Sequence, residues 1–180
     1  MTSESFNRKQ IADLLTELGA DLDLQGIRAE LFIVGGAEMV LAYNTRRTTR
    51  DIDGVFEPKS EIYTSAARVG SRHGLPNDWL NDAVEGPPPG PGPNARAVLC
   101  APGVRVSVPS PEYLLALKVH AARVDRDPDD IKELAKICGA ATSDEVLAIT
   151  ERIMGGRERL MPKAQLLVEE MFPSASSVKE

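Results

Sequence analysis

Two aspartates one residue apart, Asp51 and Asp53, stand in the stretch RRTTRDIDGVF directly behind Arg46, Arg47 and Arg50. In an extended chain alternate side chains share a face, so the two carboxylates point the same way, with Ile52 and Val55 expected to help bury the other side. Like charges this close tend to stay ionised only when a cation sits between them. The pattern therefore asks for a metal ion, with Asp51 and Asp53 as its candidate ligands. Fifteen residues before Asp51 an apolar LFIV run ends in Gly35 and Gly36 and gives way to AEMVLAYN. Such a strand-to-helix turn leaves backbone N–H groups able to hold a phosphate. Two glycines also suit a tight turn with no ligand. Together the two features match metal-assisted phosphoryl or nucleotidyl transfer, in which magnesium takes one or two carboxylates plus substrate phosphate oxygens. A solvated strand end is the plainer account of the aspartates, but Asp is depleted in strands and here two flank an isoleucine.

A second charged group lies in KVHAARVDRDPDDIKEL. Lys118 has Leu114, Ala121 and Ala122 at i±3 or i±4 and Leu117 close by, so its ammonium either snorkels to solvent or reaches a definite anion. Asp127 is a good N-cap, Pro128 suits the first helical position, and Asp129 and Asp130 suit the positive end of a helix. Capping alone can account for these residues. Arg123, Arg126 and Lys132 add a basic cluster that could hold a small anion or one end of an RNA.

VGGAEMVLAYNTRRTTRDIDGVF resembles the signature of the polymerase-β-like nucleotidyltransferase superfamily, in which a GG or GS turn is followed by a D-x-D strand. The later lysine helix and D-x-x-D-I narrow this to a resemblance to the AbiEii and MenT-type nucleotidyltransferase toxins of bacterial toxin–antitoxin systems. The motifs span about Leu31 to Leu134. The resemblance implies a small mixed β-sheet core with one or two Mg²⁺ on Asp51 and Asp53, and a nucleoside triphosphate held by Gly35, Gly36, Arg50 and Lys118. It further implies Asp130 facing the active site as a base or as an orienter of Lys118. Arg46, Arg47, Arg123 and Arg126 would contact phosphates or the acceptor. The implied acceptor is the 3′ end of tRNA and the implied partner a cognate antitoxin. One departure concerns the third metal-binding carboxylate that many superfamily members carry on a later strand. It is sought here on VRVSV, whose polar face offers only Arg105 and Ser107. The alternatives are a protein or small-molecule acceptor, or a binding module of the same fold without catalysis. Thr49, two residues before Asp51, is expected to turn its hydroxyl to the metal-binding face, where a phosphate would obstruct nucleotide binding.

These residues need elements to position them. The spacing of Ile11, Leu14, Leu15 and Leu18 predicts a helix over about 5–22 capped by Ser3 or Ser5. LFIVGG reads as a buried strand, AEMVLAYN as two helical turns, DIDGVFE as a second strand, and KSEIYTSAARVGSRHG as a helix stopped by Gly74. Trp79, Leu80 and Val84 are expected to seal the core, PPPGPGPN (87–94) to be an exposed loop, and Val98–Cys100 with Val104–Val108 to form a hairpin through Pro102 and Gly103. From Ser110 the apolar spacing turns helical: SPEYLLALKVHAARV, DPDDIKELAKICG, TSDEVLAITERIM and KAQLLVEEMF predict four helices, three opened by Ser, Asp or Thr. The tail after Phe172 is expected to fray. The expected fold class is α+β, with a sheet part over 1–109 that the resemblance makes a nucleotidyltransferase core, followed by a C-terminal helical part over 110–180, in a single compact unit.

The chain has 180 residues, ordinary hydrophobic content and a formal net charge of −6, against a protein that grips nucleic acid through its overall field. No apolar run reaches the roughly 18–20 residues that span a bilayer, and MTSESFNRKQ lacks the apolar core of a signal peptide, which makes the cytoplasm the expected compartment. Cys100 and Cys138 lack metal-ligand spacing and are expected as buried free thiols. His73, His120 and the lone Trp79 are expected in structural roles.

Overall fold

Asn7, and not Ser3 or Ser5, starts the first helix. Asn7-x-x-Gln10 is itself a reciprocal capping box: the Gln10 amide donates to Asn7 Oδ1 at 3.0 Å and the Asn7 amide to Gln10 Oε1 at 2.9 Å. The helix, α1 (Arg8–Asp23), buries Ile11, Leu14, Leu15, Leu18 and Leu22 along one stripe. The computed structural model describes residues 5–43, 48–82, 95–124 and 127–174. Val84, the 87–94 segment, the tail from 175 and the candidate arginines Arg46, Arg47 and Arg126 lie outside the described residues. The chain divides into two units, 1–109 and 110–180.

In the first unit α1 is followed by β1 (Ala29–Val34), α2 (Gly36–Tyr43), β2 (Ile52–Glu57), α3 (Lys59–His73), β3 (Leu80–Asp82), β4 (Arg96–Ala101) and β5 (Val104–Val108). The strands form one mixed sheet in the order β3-β2-β1-β5-β4. β1 runs antiparallel to β2 and parallel to β5, β3 is parallel to β2, and β4 closes an antiparallel hairpin on β5. Leu31 and Ile33 of β1, Ile52 and Phe56 of β2, Leu80 of β3 and Val104, Val106 and Val108 of β5 join α1 and α3 in one apolar core. Trp79 is sealed inside it, its indole N–H donating to the Ala66 carbonyl at 3.0 Å. Gly74 ends α3 in the left-handed conformation, as expected.

Strand parity corrects one detail. Ile52, Gly54 and Phe56 are the buried set of β2, whereas Val55 is half-buried on the face of Asp53. Residues three apart on a strand cannot share a face. The buried side at position 54 must be glycine, since a Cβ there would lie 2.9 Å from the Phe32 carbonyl oxygen.

The second unit holds α4 (Pro111–Ala121), α5 (Pro128–Ile137), α6 (Ser143–Met154), a 3₁₀ turn (Arg157–Arg159) and α7 (Pro162–Met171). Ser110 and Thr142 cap α4 and α6 with side-chain hydrogen bonds, Thr142 in a capping box with Glu145. α4 stops at Ala121, short of the expected Val124, because Ala122 takes a left-handed conformation (φ 46°) and caps it. With a five-stranded mixed sheet and seven α-helices among the described residues, the molecule is α+β. Among the same residues no helix is long and apolar enough to cross a membrane.

Candidate functional site

Asp53 is the second residue of β2 and Asp51 lies in the bend just before it; both are half-buried. Across the sheet Asp53 stands opposite Val34 of β1 and Asn81 of β3. The turn after Val34 is Gly35, in the left-handed region at φ 74°. A Cβ there would lie 3.6 Å from Asp53 Oδ2, so the turn runs along the carboxylate, and a side chain would be strained by its backbone conformation. Gly36 opens α2 and is exposed, its Cβ position 3.0 Å from Thr49 Oγ1.

Burial pushes the Asp53 carboxyl above the usual range, and the neighbouring Asp51 charge pushes it further; a hydrogen bond from Asn81 opposes both. Both causes penalise the charged form of Asp53, and a bound divalent cation would relieve them. Two carboxylates at the entry to one strand, beside a glycine turn, suit a hard cation that draws its remaining oxygens from a ligand.

The loop that delivers Asp51 is tied down. Thr49 exchanges backbone hydrogen bonds with Phe6, at 2.6 and 3.0 Å, and its hydroxyl donates to the Asp51 carbonyl at 3.0 Å. The Thr49 side chain is half-buried against the Gly36 backbone. Arg50 is exposed in the bend beside Asp51.

β5 borders β1, two strands from β2, and presents Arg105 and Ser107 away from the core. The strand beside β2 is β3, and its residue in register with Asp53 is Asn81. The next residue, Asp82, pairs with Lys59. Among the described residues no three His, Cys, Asp or Glu side chains gather as a metal site. Asn81 escaped the sequence reading because LND carries no strand signal; only its pairing with β2 identifies it.

In the second unit Lys118 reaches two carboxylates of the same unit. Its ammonium lies 3.0 Å from Asp127 Oδ1 and 3.0 Å from Asp130 Oδ2, and the three side chains are 13, 11 and 9% exposed. Asp127 occupies the N-cap position of α5 but makes no capping hydrogen bond, because its backbone is already helical and its carboxylate is committed to Lys118. Ion pairing, more than capping, therefore accounts for Asp127, and Asp130 shares the same lysine. Arg123 is exposed beyond α4.

His73 pairs with Glu17 at 2.5 Å on the α1–α3 surface. Both cysteines are free, but Cys100 is exposed on the edge strand β4 and Cys138 is only partly buried, against the expectation that both are interior. No protein-family model, curated protein or solved structure matches this chain.

Proposed function

We propose that this chain is a magnesium-dependent nucleotidyltransferase that moves a nucleoside monophosphate from a nucleoside triphosphate to an acceptor hydroxyl. The observation that carries the reading is the half-buried Asp51–Asp53 pair edged by the left-handed Gly35 turn. Asp51 and Asp53 would hold the cation, which when bound neutralises phosphate charge and lowers the pKa of an attacking hydroxyl. The acceptor oxygen bonds to the α-phosphorus, the hydroxyl proton is lost, and pyrophosphate leaves. The side-chain-free Gly35 and Gly36 let the backbone N–H groups approach the phosphates, and the exposed Arg50 contributes positive charge beside Asp51. The resemblance assigns Lys118 to the triphosphate and Asp130 to proton transfer or to holding Lys118; its ion pair with Asp130 supports the second role for Asp130.

On the same resemblance the first unit is a nucleotidyltransferase core and the second its helical companion. The acceptor is the 3′ end of tRNA, the consequence is arrested translation, and the partner is a cognate antitoxin. A phosphate on Thr49 would place about two negative charges at the Gly36 backbone and the Asp51 carbonyl, and so would obstruct nucleotide entry. A Thr49→Glu variant is expected to lose transfer while keeping its fold; full activity in that variant removes this form of control.

The test is transfer of label from each of the four α-³²P nucleoside triphosphates, with Mg²⁺, to total tRNA and to protein. Label on tRNA supports the full reading. Label confined to protein keeps the reaction and replaces the acceptor, and label on neither rejects transfer to macromolecules.

A further inference from the structure

The residue that faces Asp53 across the sheet is neutral, and that choice has a consequence for how the site fills. Asp53 and Asn81 are register partners on parallel strands, so their side chains leave the sheet on the same face, where the Asn81 amide opposes the upward push on the Asp53 carboxyl. The β3 carboxylate Asp82 belongs to Lys59, and the Asp82 backbone amide donates to the Tyr63 hydroxyl at 3.1 Å. Among the described residues the carboxylates at the site are therefore those of Asp51 and Asp53, with an amide where a third carboxylate would fit the same register.

We infer that Asn81 is a positioning residue that holds Asp53 while keeping the site at two negative charges, so that the divalent cation is taken up together with the triphosphate and not ahead of it. This rests on the nucleotidyltransferase reading above. A site with two carboxylates leaves most of a hard cation's oxygen shell to water or ligand, and holds the bare ion weakly. The phosphate oxygens of a nucleotide complete that shell. A third carboxylate would bind the ion alone more tightly and would repel the incoming triphosphate. The amide orients Asp53 without either effect. By linkage, if nucleotide strengthens cation binding, cation strengthens nucleotide binding by the same factor.

The test uses the full chain and two readings. Mn²⁺ alone is titrated by the loss of its free electron paramagnetic resonance signal. Binding of each of the four α,β-methylene nucleoside triphosphates is measured by equilibrium dialysis with and without Mn²⁺. Wild type should bind Mn²⁺ alone weakly and bind one or more analogues at least about tenfold more tightly with Mn²⁺. Asn81→Asp should bind Mn²⁺ alone about tenfold or more tightly than wild type and show a smaller gain with nucleotide. Asn81→Ser, which keeps the charge but gives up the amide, should bind Mn²⁺ alone no more tightly than wild type. Wild type that binds Mn²⁺ equally well without nucleotide, or a folded Asn81→Asp no tighter than wild type, overturns the inference and leaves the metal and nucleotide reading standing. Absence of Mn²⁺ and analogue binding in wild type and Asn81→Asp alike overturns both. If circular dichroism shows Asn81→Asp unfolded, the wild-type coupling decides alone.

Discussion

Replacing Lys118 by Met should unsettle the second unit more than almost any other single change of charge. The ammonium sits 3.0 Å from Asp127 Oδ1 and from Asp130 Oδ2, with all three side chains at most 13% exposed. At an effective dielectric constant of about 20, one such contact corresponds to a gross attraction of roughly 5 kcal/mol, much of it offset by desolvation. What the variant leaves behind matters more: two carboxylates, shielded from water, with their shared cation gone. Breaking a buried pair in this way costs about 3–5 kcal/mol. With a urea slope of roughly 1–2 kcal/mol/M, that lowers the unfolding midpoint by about 2 M or more. The assay is urea unfolding followed by far-ultraviolet circular dichroism, since the unit is helical. The triple variant Lys118→Met/Asp127→Asn/Asp130→Asn removes the stranded charges and should recover all but about 1–2 kcal/mol of the loss. It should not recover nucleotidyl transfer, which separates holding the fold from serving the reaction. A single variant that loses less than about 1 kcal/mol, or a triple variant no more stable than the single one, refutes the reasoning.

Thiol chemistry should divide the cysteines. Cys100 is exposed, whereas burial, and then the nearby Glu112 charge, pushes the Cys138 thiol up to about 11. At pH 8 only about one Cys138 in a thousand would be thiolate, so Ellman's reagent should titrate one fast thiol in native protein, lost in Cys100→Ser, with the second appearing in urea. Two equally fast thiols contradict this. The Arg68 guanidinium, 2.7 Å from Asp21, holds that carboxyl below its usual range against the opposing effect of burial. A depressed folded value means that the stabilisation is complete above the unfolded value near about 3.9 and is lost as pH falls through the folded value beneath it. The advantage of wild type over Asp21→Asn, at most about 1 kcal/mol, should therefore hold from pH 7 down to about 5 and shrink below about 4; an advantage that grows on acidification would contradict the ion pair.

The readable parts of this chain were those governed by local rules. Apolar residues at helical spacing marked α1 and the four helices of the second unit, and paired glycines followed by D-x-D marked the β1–α2 turn and β2, because turns and strand faces are set within a few residues. What escaped depends on partners distant in sequence. β3 has three residues and two of them are polar, so nothing in LND announces a strand; its pairing with β2 makes Asn81 part of the site. Asp127 has the residue type of a helix cap, yet Lys118 claims its carboxylate, a tertiary contact overriding a local preference. Cys100 reads as interior in an apolar hairpin, but β4 lies at the edge of the sheet, where one side is left open.

The central claim is that Asp51 and Asp53 carry nucleotidyl transfer, and the most direct measurement compares kcat/KM for α-³²P transfer in wild type, Asp51→Ala and Asp53→Ala. Loss of the shared cation should lower the rate by about a thousandfold or more in each variant, with melting temperatures at or above wild type because a repelling charge has been removed. Transfer within about tenfold of wild type in either folded variant would contradict the account.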